Sequence, residues 1–354
     1  MRLREIPAPG FERVVAAEDA DHGLHAVIAL HDTTRGPATG GCRMFPYASE
    51  AAALTDVLRL AEGMSYKSAL AELPLGGGKA VLLADPARDK TPELLRAFGR
   101  AVEALGGSYV AAEDVGISVE DVEVIASVTR HVAGRSAGGG DPSPHTALGV
   151  HVGIAACLAE LRGVDAVPDL AGVRVAVQGL GQVGLELVRL LLASGAEVLA
   201  SDVEPARAER ASALGARTVA PGRILEEPCA VLAPCALGAV LNADTIPRLR
   251  ASIVAGAANN QLATPEDGDR VAARGILYAP DYAINAGGII NIATELRGPY
   301  DPAWAEERVR AIGPRLRAIF AEARARGVAP ERAADAMARR ILAGSRQRDG
   351  TQGA

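Results

Sequence analysis

The segment that most restricts the fold is a run of three glycines set between two apolar stretches. Val173-Arg-Val-Ala-Val177 reads as a buried strand, and Gly179-Leu180-Gly181-Gln182-Val183-Gly184 follows it. Val183 to Ser194 then has the pattern of a helix, and Ala196-Glu-Val-Leu-Ala200 reads as the next strand. In a strand, turn and helix of this kind the first glycine permits the tight turn. The second lets backbone approach a pyrophosphate, and the third lets helix and strand pack closely. Amides at the helix start then face the anion. Asp202 ends the next strand eighteen positions after Gly184, where a carboxylate accepts from a ribose 2′-hydroxyl and repels a 2′-phosphate. An ordinary turn followed by a solvated aspartate is the alternative, and the three-part context disfavours it. The expected ligand is therefore a dinucleotide, NAD ahead of NADP, with Arg207 and Arg210 softening that preference.

Further strands are expected at Ala230-Val-Leu232, Ser252-Ile-Val254 and Ile276-Leu-Tyr278. Strands alternating with helices imply a parallel sheet with crossover helices. Up to about residue 147 the chain also reads as α/β. His25–Leu30 and Ser108–Ala112 are strand candidates, and Ser49 is a candidate N-cap for a helix with apolar Leu54, Val57, Leu58, Ala61 and Met64. Another helix is expected over Pro92–Leu105. Small residues and prolines at Ala137–Pro144 mark a hinge candidate. Pro302–Leu342 reads as helical, broken at Gly313-Pro314 and Gly327–Pro330, and the polar end GSRQRDGTQGA is expected to fray.

A length of 354 residues suits about two domains. The net charge of -6 and the 3% of aromatic residues argue against a nucleic-acid surface. No uninterrupted apolar run of membrane-spanning length occurs, and the start MRLREIPAPGFERVV has no secretory signal pattern. Cys42, Cys157, Cys229 and Cys235 form no CxxC pair, and the histidines show no HExxH spacing. The expectation is a cytoplasmic protein with reduced thiols, no metal site, no nucleic-acid partner and no membrane partner.

Three polar groups sit where apolar neighbours are expected. Lys79 ends a run of glycines in Pro74–Leu83, and an ATP-type phosphate loop is ruled out because Leu73 and Ala80 occupy the positions of its first glycine and its Ser/Thr. Lys67 follows the first helix in Gly63-Met-Ser-Tyr-Lys67. Asp114 directly follows an apolar strand in Glu113-Asp-Val-Gly116. Singly, each has an ordinary reading as a snorkelling lysine or a turn aspartate.

Together with other motifs they form a pattern. These are Gly36-Pro-Ala-Thr-Gly-Gly-Cys-Arg-Met44, Gly63–Lys67, Leu75–Lys79, Ala112–Gly116 and Asp141-Pro-Ser-Pro-His-Thr-Ala-Leu-Gly149. Ala233-Pro-Cys-Ala-Leu-Gly238, Gly256-Ala-Ala-Asn-Asn-Gln261 and Tyr278-Ala-Pro-Asp-Tyr-Ala-Ile-Asn-Ala-Gly-Gly288 complete it. Over nearly its whole length the chain resembles the glutamate/leucine/phenylalanine/valine dehydrogenases, leucine and valine dehydrogenases most. The resemblance implies an α/β chain with a cleft between two domains. Residues 1–147 would form the substrate and oligomerisation domain and 148–327 a Rossmann NAD domain. Residues 328–354 would form a C-terminal helix packing on the first domain, with a frayed tail, in a homo-oligomer.

The implied reaction converts an L-amino acid, water and NAD to a 2-oxo acid, ammonium and NADH. Lys67 would bind the α-carboxylate, Lys79 would activate water, and Asp114 would exchange protons with the amine. Burial beside Lys67 would favour the neutral form of Lys79. Thr146, Leu180, Gln182, Val183, Cys235, Ala236 and Asn259 join the three glycines and Asp202 as implied cofactor contacts. Asn260 or Asn285 would help hold the substrate carboxylate. Thr39, Gly40, Gly41, Met64, Ala112, Ile289 and Ile292 would shape the side-chain pocket. Glutamate-specific relatives have a lysine where Thr39 stands and a serine where Ile292 stands, so a distal carboxylate would lack partners. The expected substrate is a branched aliphatic amino acid, with phenylalanine the alternative. A non-catalytic NAD-binding protein is the rival from another class, and Cys42 and His145 are departures from the usual family residues.

Overall fold

A computed structural model describes residues 1–136, 139–166 and 168–352, with side chains through Arg346. The chain forms two compact units, residues 1–142 with 291–302 and 338–354, and residues 143–290 with 303–337. The C-terminal residues join the first unit as expected, but the divisions fall at 142 and 337 rather than 147 and 327, and residues 291–302 also belong to the first unit. Part of the reason is local: Gly134 N and Gly139 N donate to Glu295 at 2.9 and 3.4 Å, and Asn291 Nδ2 donates to Gly139 O at 3.1 Å, tying 291–302 to the first unit. Ala137 and Gly138 of the hinge candidate lie outside the described residues.

The strands of the first unit are β1 (Arg2–Glu5), β2 (Arg13–Asp19), β3 (Leu24–Asp32), β4 (Ala38–Phe45), β5 (Gly76–Leu83) and β6 (Tyr109–Ala112). They pair in the order β1-β2-β3-β5-β4-β6, antiparallel through β5 and parallel from there. Helices α1 (Glu50–Leu70), α2 (Pro92–Glu103) and α3 (Val119–Ala126) cover the sheet. Ala53, Val57 and Ala61 of α1 bury against Val14, Val27, Ala29 and Val81. On the opposite face Leu95, Phe98 and Ile125 pack with Ile28, Met44 and Leu82. The Ser49 side chain accepts from Ala52 N at 3.1 Å, as an N-cap should. The helix does not stop at Gly63. It runs to Leu70, so Lys67 lies in its last turn rather than beyond it.

The second unit begins with α4 (Ser143–Arg162) and carries β7 (Arg174–Gln178), α5 (Gln182–Ala193), β8 (Glu197–Ser201), α6 (Pro205–Ala213), β9 (Arg217–Thr218) and β10 (Cys229–Pro234). After these come β11 (Ala251–Val254), α7 (Pro265–Ala273), β12 (Leu277–Tyr278) and α8 (Asp281–Ile284). All six strands are parallel, in the order β12-β11-β10-β7-β8-β9. Read from the other edge this is the third, second, first, fourth, fifth and sixth strand, the doubly wound order of dinucleotide-binding sheets. The two-residue β9 escaped the sequence reading because Arg217 and Thr218 are exposed and have no apolar signal.

Helix α9 (Gly287–Leu296) returns the chain to the first unit, and α10 (Pro302–Arg310), α11 (Ile312–Arg326) and α12 (Pro330–Gln352) follow. Gly313-Pro314 falls within the first turn of α11, where a proline costs no hydrogen bond, so the break comes before Ile312. Gly327 caps α11 with φ 63° and Pro330 opens α12. The polar end is helical through Gln352. Two of its side chains have partners in the first unit: Ser345 Oγ accepts from Arg35 at 3.2 Å, and Arg346 meets the fully buried Asp32 at 2.6 Å; just before it, Arg339 Nε donates to Tyr66 Oη at 2.8 Å.

Candidate active site and dinucleotide site

Alternation along β5 puts Gly77, Lys79 and Val81 on the α1 face of the first sheet. Lys79 is 5% exposed, in the middle of a strand whose other residues are apolar or glycine. Its Nζ lies 2.6 Å from Asp114 Oδ2. Asp114 sits just past β6, in a tight turn closed by Ile117 N donating to Asp114 O at 2.9 Å. Gly116 takes φ 80° there, and a Cβ on it would stand 2.3 Å from Met44 O. Only glycine fits that place, and so the turn presses against the end of β4.

A third charged group completes the cluster. Arg43 Nε donates to the same Asp114 oxygen at 3.1 Å, and its terminal nitrogen donates to Asp56 Oδ2 at 3.0 Å. Tyr47 Oη donates to that Asp56 oxygen at 2.6 Å. Burial pushes the Asp114 carboxyl up, but Lys79 and then Arg43 outweigh it and hold it down at about 2. The neighbouring Glu113 has no such partners. Burial raises it to about 7, reinforced by the negative charges of Asp141, Asp114 and Glu120.

The glycines around this cluster lie against protein on the side where a Cβ would stand. A Cβ on Gly77 would lie 2.0 Å from Ser65 N, one on Gly40 1.9 Å from Gly78 O, and one on Gly41 2.7 Å from Asp114 Cβ. Close packing of α1 and of the Asp114 turn against the sheet requires their absence. Lys67, on the same helix as Ser65, is buried. Thr39 is fully buried, its hydroxyl donating to Pro37 O at 3.0 Å. Met64 is half-buried, its Cγ 3.3 Å from where a Cβ on Gly40 would stand, and Ala112 is buried at the end of β6. Ile292 is buried in the first unit; Ile289 is buried in the second.

In the second unit each glycine of the fingerprint has a separate duty. Gly179 takes φ 94°, and a Cβ on it would meet Ala236 at 2.7 Å. A Cβ on Gly184 would meet Gly179 O at 2.0 Å, so helix α5 is packed on the loop. Gly181 has nothing within 4 Å of its Cβ position, and it precedes α5 with no side-chain cap on the helix amides. That open place beside bare amides fits a pyrophosphate. Asp202 accepts from Leu180 N at 2.6 Å and Glu204 N at 2.8 Å, with Arg207 at 3.8 Å. A cavity of about 270 Å³ opens here, lined by Gly179, Gly181, Asp202, Cys235 and Ala236 among others. Its lining includes Gln178 and Ser201, whose Oε1 and Oγ are buried with no hydrogen-bond partner among the described residues. Two further lining residues, Val203 and Leu237, are the most exposed large apolar side chains among the described residues, at 85% and 81%. Orphaned polar atoms and two exposed apolar side chains lining one cavity suit a nucleoside, whose base takes apolar contact and whose hydroxyls take hydrogen bonds.

Val183 is half-buried and Gln182 exposed at the start of α5. Thr146 lies in the first turn of α4, where a Cβ on Gly287 would stand 2.6 Å from its amide nitrogen. Asn285 spends its amide donors on Ala257 O and Asn259 Oδ1, both at 2.9 Å. So placed it orients Asn259. Asn260 is half-buried at φ 50°, its carbonyl accepting from Ala239 N at 2.7 Å.

Residues 11–131 match the profile of the Glu/Leu/Phe/Val dehydrogenase dimerisation domain, and 202–329 that of the glutamate/leucine/phenylalanine/valine dehydrogenases. The leucine dehydrogenase of Bacillus subtilis is 46% identical over 332 residues, 93% of this chain and 90% of the relative. The chain belongs to the Glu/Leu/Phe/Val dehydrogenase family. The valine dehydrogenase of Streptomyces coelicolor is 47% identical over 96% of this chain and 94% of its own. The crystal structure of L-tryptophan dehydrogenase from Nostoc punctiforme superposes with a TM-score of 0.80 at 43% identity, covering 95% of this chain and 97% of that one. This member of the family is thus an amino acid dehydrogenase, with NAD as the cofactor of its doubly wound unit. Among the described residues no helix is long and apolar enough to cross a membrane. Arg43 was missed as a site residue. Its only sequence signal is its place in the Gly36–Met44 motif, since the contact with Asp114 spans 71 positions.

Proposed function

We propose that the protein catalyses the NAD-dependent oxidative deamination of a branched-chain aliphatic L-amino acid, leucine, valine or isoleucine, to its 2-oxo acid and ammonium. The observation that carries this reading is the 2.6 Å contact between buried Lys79 and Asp114. Oxidation at Cα needs the substrate amine neutral, and hydrolysis of the resulting iminium needs a water stripped of its proton. Asp114, ionised across the working range, takes the amine proton, and Lys79 takes the proton of the water. Their direct contact lets a proton pass between them without bulk solvent. NAD, when bound, accepts the hydride from Cα. Lys67 pairs with the α-carboxylate and so fixes which face of Cα is presented.

For the side chain, Thr39 and Ile292 offer nothing to a distal carboxylate, while Met64, Ala112, Ile289 and Ile292 are apolar. Each methylene too many costs about 1–3 kcal/mol in a pocket of fixed size. Relatives named for leucine, valine and tryptophan show that the family motifs alone leave the choice open. Initial rates with NAD across L-leucine, L-valine, L-isoleucine, L-phenylalanine and L-tryptophan are the test. The expected result is kcat/KM at least about tenfold higher for a branched aliphatic substrate than for either aromatic one. A preference for phenylalanine or tryptophan would refute the pocket assignment. We further propose a homo-oligomer in the cytoplasm, supported by the dimerisation domain over residues 11–131.

A further inference from the structure

We propose that Arg43 is a positioning residue that keeps Asp114 ionised, and so able to accept the amine proton, when Lys79 is neutral, and that Asp56 moderates it. The proposal rests on the assignment of Lys79 and Asp114 to proton transfer. Asp114 Oδ2 receives two cations, Lys79 Nζ at 2.6 Å and Arg43 Nε at 3.1 Å. They differ in kind. A lysine that serves as a base must at some point lose its charge, whereas a guanidinium keeps its own throughout. With Lys79 neutral and Arg43 removed, Asp114, 14% exposed in its turn, would have lost both of the cations that contact its Oδ2. It would then take the proton back across the 2.6 Å contact, and the acceptor needed by the amine would be lost.

Arg43 is itself held from behind. Its fork is divided, Nε to Asp114 and a terminal nitrogen to Asp56, and Tyr47 fixes Asp56 by a 2.6 Å hydrogen bond. Asp56 thus sets both where the guanidinium points and how much of its charge Asp114 feels. The strand order makes the arrangement possible, because β4, which carries Arg43, lies between β5 with Lys79 and β6, which leads into Asp114. Glu113, Cys42 and Tyr109 are also within electrostatic reach of Asp114. Burial pushes the Cys42 thiol up to about 12 and the Tyr109 phenol well above its ordinary range, so neither exchanges protons near neutrality. Glu113, raised to about 7, changes charge there, and it is present in every variant below.

The test is the pH profile of kcat/KM for L-leucine in the unmodified enzyme and in R43Q, R43K and D56N, each checked for unchanged thermal unfolding. The acid limb reports ionisations of the free enzyme, which belong to the coupled pair. Removing a positive charge makes proton release harder, so R43Q should move that limb up by about one pH unit or more. Removing the negative charge of Asp56 leaves Arg43 less neutralised, so D56N should move it down. R43K, which keeps the charge, should stay nearer the unmodified profile than R43Q does. A merely structural role for Arg43 would lower kcat or the unfolding temperature without shifts of opposite sign. An unmoved limb in R43Q, or shifts of one sign in R43Q and D56N, would overturn the proposal. A second readout needs no turnover: the Asp114 carboxyl resonance in ¹³C-aspartate-labelled protein, assigned by its loss in D114N. Its midpoint should rise by about a unit in R43Q, and an unchanged midpoint overturns the proposal too. Absence of turnover with every amino acid would instead refute the proposed reaction, leaving this charge arrangement to the resonance.

Discussion

Lys79→Ala is expected to lower kcat for amino acid oxidation by about 10³-fold or more, while the dissociation constant for NADH changes less than about twofold. The split follows from where the parts lie. Lys79 stands in the first unit, buried on β5 against Asp114, and the glycine loop, Asp202 and the nucleoside-sized cavity belong to the second. Alanine removes the base for the water, and Asp114 keeps its contact with Arg43. Steady-state rates with NADH fluorescence titration measure both quantities. A kcat within tenfold of the unmodified enzyme would take Lys79 out of the chemistry.

Gly77→Ala is expected to be nearly as damaging although it touches no reacting group. Its Cβ would stand 2.0 Å from Ser65 N and 2.2 Å from Ser65 Oγ, where helix backbone cannot give way locally. Either α1 lifts from the sheet or β5 shifts, and Lys67 on one and Lys79 on the other lose their relation. Overpacking of this kind costs about 1–3 kcal/mol, more where the obstacle is backbone. The variant should unfold several degrees lower and show a raised KM for the amino acid. Unchanged thermal unfolding and unchanged KM would show that the glycines of Leu75–Lys79 are not packing residues.

The dinucleotide unit was the most legible part of the chain, and the reason is locality. Gly179, Gly181 and Gly184 perform three separate tasks within six residues of one strand, and Asp202 ends the very next strand. The first unit is written over longer distances. Lys79 and Asp114 were picked out by family motifs, but that they touch depends on β4 and β5 running parallel and on a turn braced by Gly116. Arg43 was invisible for the same reason, as its two partners come from α1 and from beyond β6. The packing duty of Gly77 against α1, and of Gly41 against the Asp114 turn, has no local signal in the sequence. Local composition cannot show it, because the obstructing atom is supplied by a distant segment. The same holds for the polar C-terminal end: Arg346 reads as solvated until the fully buried Asp32 is placed opposite it.

The most direct measurement follows the hydrogen on the substrate. The enzyme is incubated with L-[2-²H]leucine and NAD, the nicotinamide product is analysed by mass spectrometry, and released ammonium is assayed alongside. Deamination with direct transfer from Cα predicts one deuteron in the reduced cofactor for each ammonium formed. Reduced cofactor without the deuteron, or without ammonium, would contradict it.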